Sequence, residues 1–295
     1  MTSFLTPSLN GRTLTVDAVM NAPTLIRDRI ATISDDLLLL GKLFQAYGAQ
    51  VQGGGLLYSS ITAADYYADE MGARTPGTEY SRLLGNEPAQ NVAPVSDFGA
   101  WFEITDEQRI RNDISLFDHH VTQSANTIVR QLDTYAVACV EAALADNPGQ
   151  IVAGHPWDTL VTVGPLDALT PSTALPTADF AAGQQVADLQ EVGTKFDILC
   201  CHPNEAASLR TAYRQFLGDA LQSAGVELFV TPRIEPGNAY LAVKGNVGIV
   251  AFEEPLRVEP ILQRERRTTR FQSYCVPAAG VDRPNNIVKL TGLHS

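Results

Sequence analysis

From Asp106 to about Asp146 apolar residues recur every three or four positions: Ile110, Ile114, Phe117, Val121, Ala125, Ile128, Leu132, Tyr135, Cys139 and Ala143. No other feature limits the possible folds so strongly. At 1.5 Å per residue such a helix would be roughly 60 Å long, beyond the diameter of a small domain. It must cross the molecule as a spine or project from it. Asp106 is the expected cap of its first amides, with Arg109 in the opening turn, and Pro148-Gly149 ends it.

The segment before the spine, Gly53 to about Asp97, behaves differently. It opens on Gly53-Gly54-Gly55, passes through a strand at Leu56–Ile61, and continues through Pro76, Gly77, Gly85, Pro88 and Pro94 to a second strand at Phe98–Ile104. Connections inside compact domains usually run about 4–6 residues, so a punctuated stretch this long is not an ordinary loop. Its apolar and aromatic content, including Tyr58, Tyr66, Tyr67, Tyr80, Leu83, Leu84 and Trp101, argues against plain disorder. The expectation is an extended two-stranded arm ordered by a neighbour. Ahead of it, the first 24 or so residues are polar and read as a terminal arm, and Thr24–Phe44 carries helical periodicity.

After Pro148 the pattern alternates between strand and helix. Strands are expected at Thr159–Val163, Phe196–Cys201 and Val226–Thr231, and helices at Ala178–Val192 and Asn204–Ala224, the latter capped by Asn204. Asn238–Lys244 and Val247–Phe252 read as a hairpin joined by Gly245-Asn246. A long charged β segment spans Leu256–Tyr274, and Asn285–Leu290 closes the chain. No internal repeat is present.

Composition removes several functions. The 295 residues suggest about two domains or one large one. With 21 Lys and Arg against 33 Asp and Glu, the net charge of −12 has the wrong sign for a protein that grips nucleic acid by charge. No stretch approaches the roughly 20 apolar residues that cross a bilayer, and no signal segment is expected. Cys139, Cys200, Cys201 and Cys275 have no CxxC spacing, as in a reduced, cytosolic protein without structural zinc.

Three strings invite a catalytic reading. Asp118-His119-His120 resembles a metal phosphoesterase signature, but on a helix consecutive residues diverge by about 100° and cannot chelate one ion together. Cys201-His202, with Cys200 beside it and His155 elsewhere, could suggest a thiolate–imidazole pair, yet neighbours on a strand face opposite ways. Gly53-Gly54-Gly55 lacks the residues of a phosphate loop. Arg264, Arg266, Arg267 and Arg270 form the basic cluster of the chain, and with Glu265 between them they read as a solvated or subunit-contacting strand.

The order of these parts resembles the major capsid protein of tailed bacteriophages, an α+β fold of the Hong Kong 97 type that encapsulin shells share. The carrying residues are Pro23-Thr24-Leu25-Ile26, the loop from Gly53 to Ile104, Arg109-Ile110-Arg111-Asn112-Asp113, and Cys201-His202-Pro203-Asn204-Glu205-Ala206. Gly237-Asn238-Ala239-Tyr240, Gly248, Glu253-Glu254-Pro255-Leu256 and Arg283-Pro284 add to it, and the sequence is most similar to capsid proteins of actinobacteriophages.

The resemblance implies a terminal arm with short helices at residues 1–52 and an extended loop at 53–102. It further implies a peripheral domain at 103–164 with 253–295 and an axial domain at 165–252. It implies no enzyme: no catalytic, cofactor-binding or metal-binding residues and no cofactor. The implied function is self-assembly, as hexamers and pentamers, into an icosahedral shell around double-stranded DNA held without sequence-specific contacts. The implied location is the virion, after assembly in the host bacterial cytoplasm. Implied partners are a separate scaffolding protein, a portal and decoration or cement proteins, with no membrane. An encapsulin-type compartment is the alternative, and a metal phosphoesterase using Asp118, His119 and His120 is a further one. Some members join a loop lysine to a neighbour's asparagine; here Lys42, Lys195, Lys244 and Lys289 all lie outside the loop, so no such cross-link is expected. An unprocessed N-terminus is expected as well.

Overall fold

The computed structural model describes residue 28 and residues 39–294, apart from 69, 70, 81, 83, 112 and 113, and apart from the side chains of 114, 115 and 166. The terminal arm and most of the Thr24–Phe44 pattern lie outside the described residues. What is described of that pattern is a short helix α1 (Leu40–Leu43), and Phe44 already belongs to a strand, β1 (Phe44–Ala46), instead of continuing the helix.

The spine is present but begins differently. Strand β4 (Phe98–Thr105) runs into a one-turn helix α2 (Asp106–Ile110), and the long helix α3 occupies Ile114–Asp146. Its 33 residues span roughly 50 Å. The cap is Thr105, not Asp106: the Thr105 hydroxyl accepts from the Gln108 amide at 3.3 Å, and the Gln108 side chain accepts from the Thr105 amide at 3.0 Å. Asp106 sits one residue too late to close that reciprocal pair. The helix ends at Asp146, and Pro148–Gln150 forms a single tight turn.

Two sheets flank the spine. The first has strand order β1-β9-β10-β4, where β9 is Gly248–Gln263 and β10 is Thr268–Gly280. Here β9 and β10 pair antiparallel as a long hairpin, and β4 pairs antiparallel with β10. Pro255 and Pro260 are tolerated inside β9 because β1 covers only its first residues, Gly248–Val250, and the rest is an edge that needs no donor. Against this sheet α3 buries Phe117, Val121, Ala125, Ile128 and Leu132, which meet Ile104, Val258, Phe271 and Cys275. Phe271 stacks on Phe102 at 5.3 Å and meets Phe117 edge-on at 5.8 Å.

The second sheet has order β5-β11-β8-β6-β7: Ile151–Ala153, Ile287–Thr291, Ala239–Ala242, Ile198–Cys201 and Glu227–Val230. Its central strands β6 and β8 are buried at every position, because α3 covers one face and helices α4 (Pro176–Leu189) and α5 (Pro203–Tyr213) the other. The C-terminal half of α3 supplies Ala136, Val140 and Leu144 to this second core. One helix therefore seals both sheets, which is the spine role its length demanded.

Several expectations are corrected here. Thr159–Val163 forms no strand; its Val161 amide bonds the Thr170 hydroxyl, and the edge strand is β5 instead. The Gly245-Asn246 turn exists, with Gly245 at φ +64, but it joins no hairpin: β8 and β9 belong to different sheets. Asn204–Ala224 is two helices, α5 and α6 (Leu217–Ala224), broken where Arg214 adopts φ +48. The cap of α5 is His202, whose Nδ1 accepts from the Asn204 amide at 3.2 Å. The second sheet draws β5 and β11 from residues 151–153 and 287–291, on either side of the segment that supplies its other strands.

Candidate functional site

The exposed surface of this chain carries three distinct constructions. The first is a ribbon, β2 (Gly55–Ser60) paired antiparallel with β3 (Ala89–Pro94), with Leu57 opposite Val92 and Leu56 opposite Ala93. The partner of β2 is thus β3 and not Phe98–Ile104, which is β4 of the first sheet. One face is anchored, since Leu56 and Ala93 pack on Val51, Ala251 and Ala278. The other is bare: Leu57 is 63% and Val92 65% exposed. Gly53 and Gly54, at φ +85 and +79, make the left-handed turn into the ribbon.

Between β2 and β3 the described residues of 61–88 form an excursion with little regular structure and with exposed Tyr66, Tyr67, Met71, Tyr80 and Leu84. Thr62 and Asp65 form a capping pair at its start, and those two Thr62 bonds hold the Asp65 carboxyl below its usual range. Tyr67 donates to the Glu191 carbonyl at 2.5 Å, tying the excursion to the second sheet's lobe.

The second construction is the turn of the β9–β10 hairpin, residues 264–267. Arg267, at φ +50, lies 3.7 Å from Asp106 and 3.8 Å from Glu107. Arg270 binds Glu103 at 3.0 Å and lies over the Trp101 ring at 4.1 Å. Arg264 and Arg266 are exposed and form no ion pair among the described residues. They belong to the turn, so the strand-face arrangement expected for them does not arise. The third construction is a groove of about 750 Å³ between the ribbon and the C-terminal half of α3.

The residues that suggested chemistry do not converge. Asp118, His119 and His120 lie on α3, with the His120 ring stacked on Phe102 at 5.7 Å. Among the described residues no group of three His, Cys, Asp or Glu side chains is placed to hold a metal ion. Cys201 is buried in the second core, which pushes its thiol up to about 12, and its neighbour His202 is occupied as a helix cap. His155 bonds the buried Asp179 at 2.7 Å, and Trp157 donates to the same carboxylate at 2.8 Å. That cluster closes the end of the second sheet. No helix among the described residues is long and apolar enough to cross a membrane.

A mixed α+β chain with a spine helix, a ribbon whose outer face has no partner among the described residues and a long hairpin has the architecture of a Hong Kong 97-type shell subunit. The chain belongs to a family described as phage capsid protein, whose model matches residues 89–290. Similar solved structures are the capsid of cyanophage P-SCSP1u, with TM-score 0.60, 14% identity, and 88% of this chain and 89% of that chain covered. A structure of Mycobacterium phage Bobi gives TM-score 0.59 and 12% identity over 90% and 97%. The virus-like particle from Pyrococcus furiosus gives 0.57 and 15% over 89% and 98%. Among curated proteins none matches this sequence. The protein is a capsid shell protein, a structural component of a tailed-phage virion.

Proposed function

We propose that this subunit assembles as hexamers and pentamers into an icosahedral shell that encloses double-stranded DNA. The observation that carries this is the ribbon: Leu57 and Val92 form an exposed apolar pair on a two-stranded element whose opposite face is firmly anchored. Such a surface has its partner on another subunit. Closed symmetry multiplies contacts of this kind, so no single one need be strong.

By the same reading residues 53–102 are the extended loop, except that Phe98–Phe102 joins the first sheet through β4, 103–164 with 253–295 are the peripheral domain, and 165–252 the axial domain, with β5 and β11 reaching across into the axial sheet. Assembly takes place in the host cytoplasm, with a separate scaffolding protein, a portal and decoration or cement proteins as partners. The subunit has no catalytic role. Its net charge of −12 suits confinement of DNA without tight binding, and the lumenal face is expected to be poor in Lys and Arg.

The likeness to a virus-like particle supports a second reading, a shell that houses protein cargo. Electron microscopy of purified particles tests both. Icosahedral shells with nuclease-protected DNA support the first, shells with protein inside the second, and small soluble oligomers reject both.

A further inference from the structure

Charge on this molecule is separated between two of the constructions described above. The hairpin turn opens onto a cleft of about 790 Å³ lined by Arg264, Arg266 and Arg270 with Glu265 as its one carboxylate. Beside it stand exposed Ile261 and Leu262, the latter 56% exposed. The groove under the ribbon has the opposite character: Asp65, Glu87 and Asp146 line it, and no Lys, Arg or His does. Its apolar wall includes Ala93, Ala138 and Ala142.

The groove also lies at the C-terminus of α3, whose last turn holds no basic residue. The carbonyl end of a long helix carries a partial negative charge, and Asp146 adds a full one. Asn147 caps two of those carbonyls, its side chain donating to Ala143 at 2.9 Å and its amide to Leu144 at 3.1 Å, but it brings no charge. Nothing described within the subunit supplies the cation that this end calls for.

The turn cannot reach the groove of its own subunit. The turn precedes Thr268 at the start of β10, whereas the groove wall includes Ala279, Gly280 and Val281 at its far end. A 13-residue strand separates them by roughly 40 Å. We propose that the Arg264/Arg266 turn of one subunit enters the Asp65–Glu87–Asp146 groove of a second copy. Leu262 then packs against Ala138 and Ala142 at the centre, and the charges form the rim and set register. The contact is head-to-tail, so it propagates around a ring or a closed shell and does not stop at a dimer. It rests on the shell reading and names one of that shell's interfaces.

The test compares particle yield, by sedimentation and electron microscopy, for wild type, R264E/R266E, E87K/D146K and the combined four-residue swap. All the substituted positions are exposed, and thermal melting of unassembled protein checks folding. Each double variant is expected to lower the assembled fraction about tenfold, and the swap to recover most of it. A second readout is L262C/A142C, expected to give intermolecular disulfide ladders on oxidised particles. Wild-type protein that never forms shells overturns the shell reading and this contact together. Shells that form equally well from the double variants, or a swap that recovers nothing, overturn the contact and leave the shell reading standing.

Discussion

Asp133 is buried on α3, where its Oδ1 accepts from the Leu39 amide at 2.8 Å and thereby holds the start of α1 to the spine. Burial outweighs these amide bonds and the nearby Arg233 charge, so the carboxyl is raised to about 6. A carboxyl whose folded value exceeds its unfolded one favours folding in its protonated form. Its contribution is therefore fully present below about 4 and is lost as pH rises through about 6. Asp133→Asn keeps an acceptor for Leu39 without a buried charge. It is expected to raise the melting midpoint at pH 7.5, by an amount equivalent to roughly 2–3 kcal/mol, with the difference vanishing near pH 4. A second residue-scale prediction concerns Gly280, where an added Cβ would lie 2.6 Å from Cζ of Tyr58. Tyr58 fastens the ribbon to β10, so Gly280→Ala is expected to destabilise by about 1–3 kcal/mol. Limited proteolysis should then cut the 61–88 excursion faster than in wild type. Neither residue was legible beforehand, because a sequence shows an acid on a helix or a glycine in a strand but not what stands against it.

At the scale of elements, legibility followed local periodicity. β2, β4, β6 and α4 were expected to within a few residues, and so was the end of the spine, since each is announced by its own repeat or β-branched run; the spine's start was expected eight residues early. Elements defined by a partner were not. Strand β3 reads Ala-Gln-Asn-Val-Ala-Pro and has little intrinsic strand character; it exists because β2 offers it a complete ladder of partners. Conversely, Thr159–Val163 has strong β character but finds no strand to pair with. The Thr105 cap differs from the expected Asp106 by one residue, the usual uncertainty at a helix end. Thr105→Ala is expected to cost about 1 kcal/mol in denaturant unfolding, whereas Asp106→Ala should cost less than half of that. The reverse order would show that the Thr105–Gln108 pair contributes nothing.

At the scale of the molecule, the surfaces matter more than the cores. Lysine is absent from residues 53–102, so boiled particles are expected to run on denaturing gels as one band near 31.8 kDa; a ladder of covalent oligomers would contradict this. The acidic surplus and the isolated arginine cluster were both visible in the sequence, but their opposition across the subunit was not. The sequence by itself determined a spine too long for a small domain and a punctuated arm rich in aromatic residues, and the class entered through the resemblance of their order to that of shell proteins. Those features are periodic or compositional, and periodicity is set by backbone geometry alone. Only the tertiary structure decided that Phe98–Thr105 leaves the arm for the first sheet, that the β8–β9 turn crosses between sheets, and that an acidic groove and a basic turn stand at opposite ends of β10. Each of these depends on which distant segment supplies a hydrogen-bond edge or an apolar face, and such a pairing is a property of the whole chain that no local window contains.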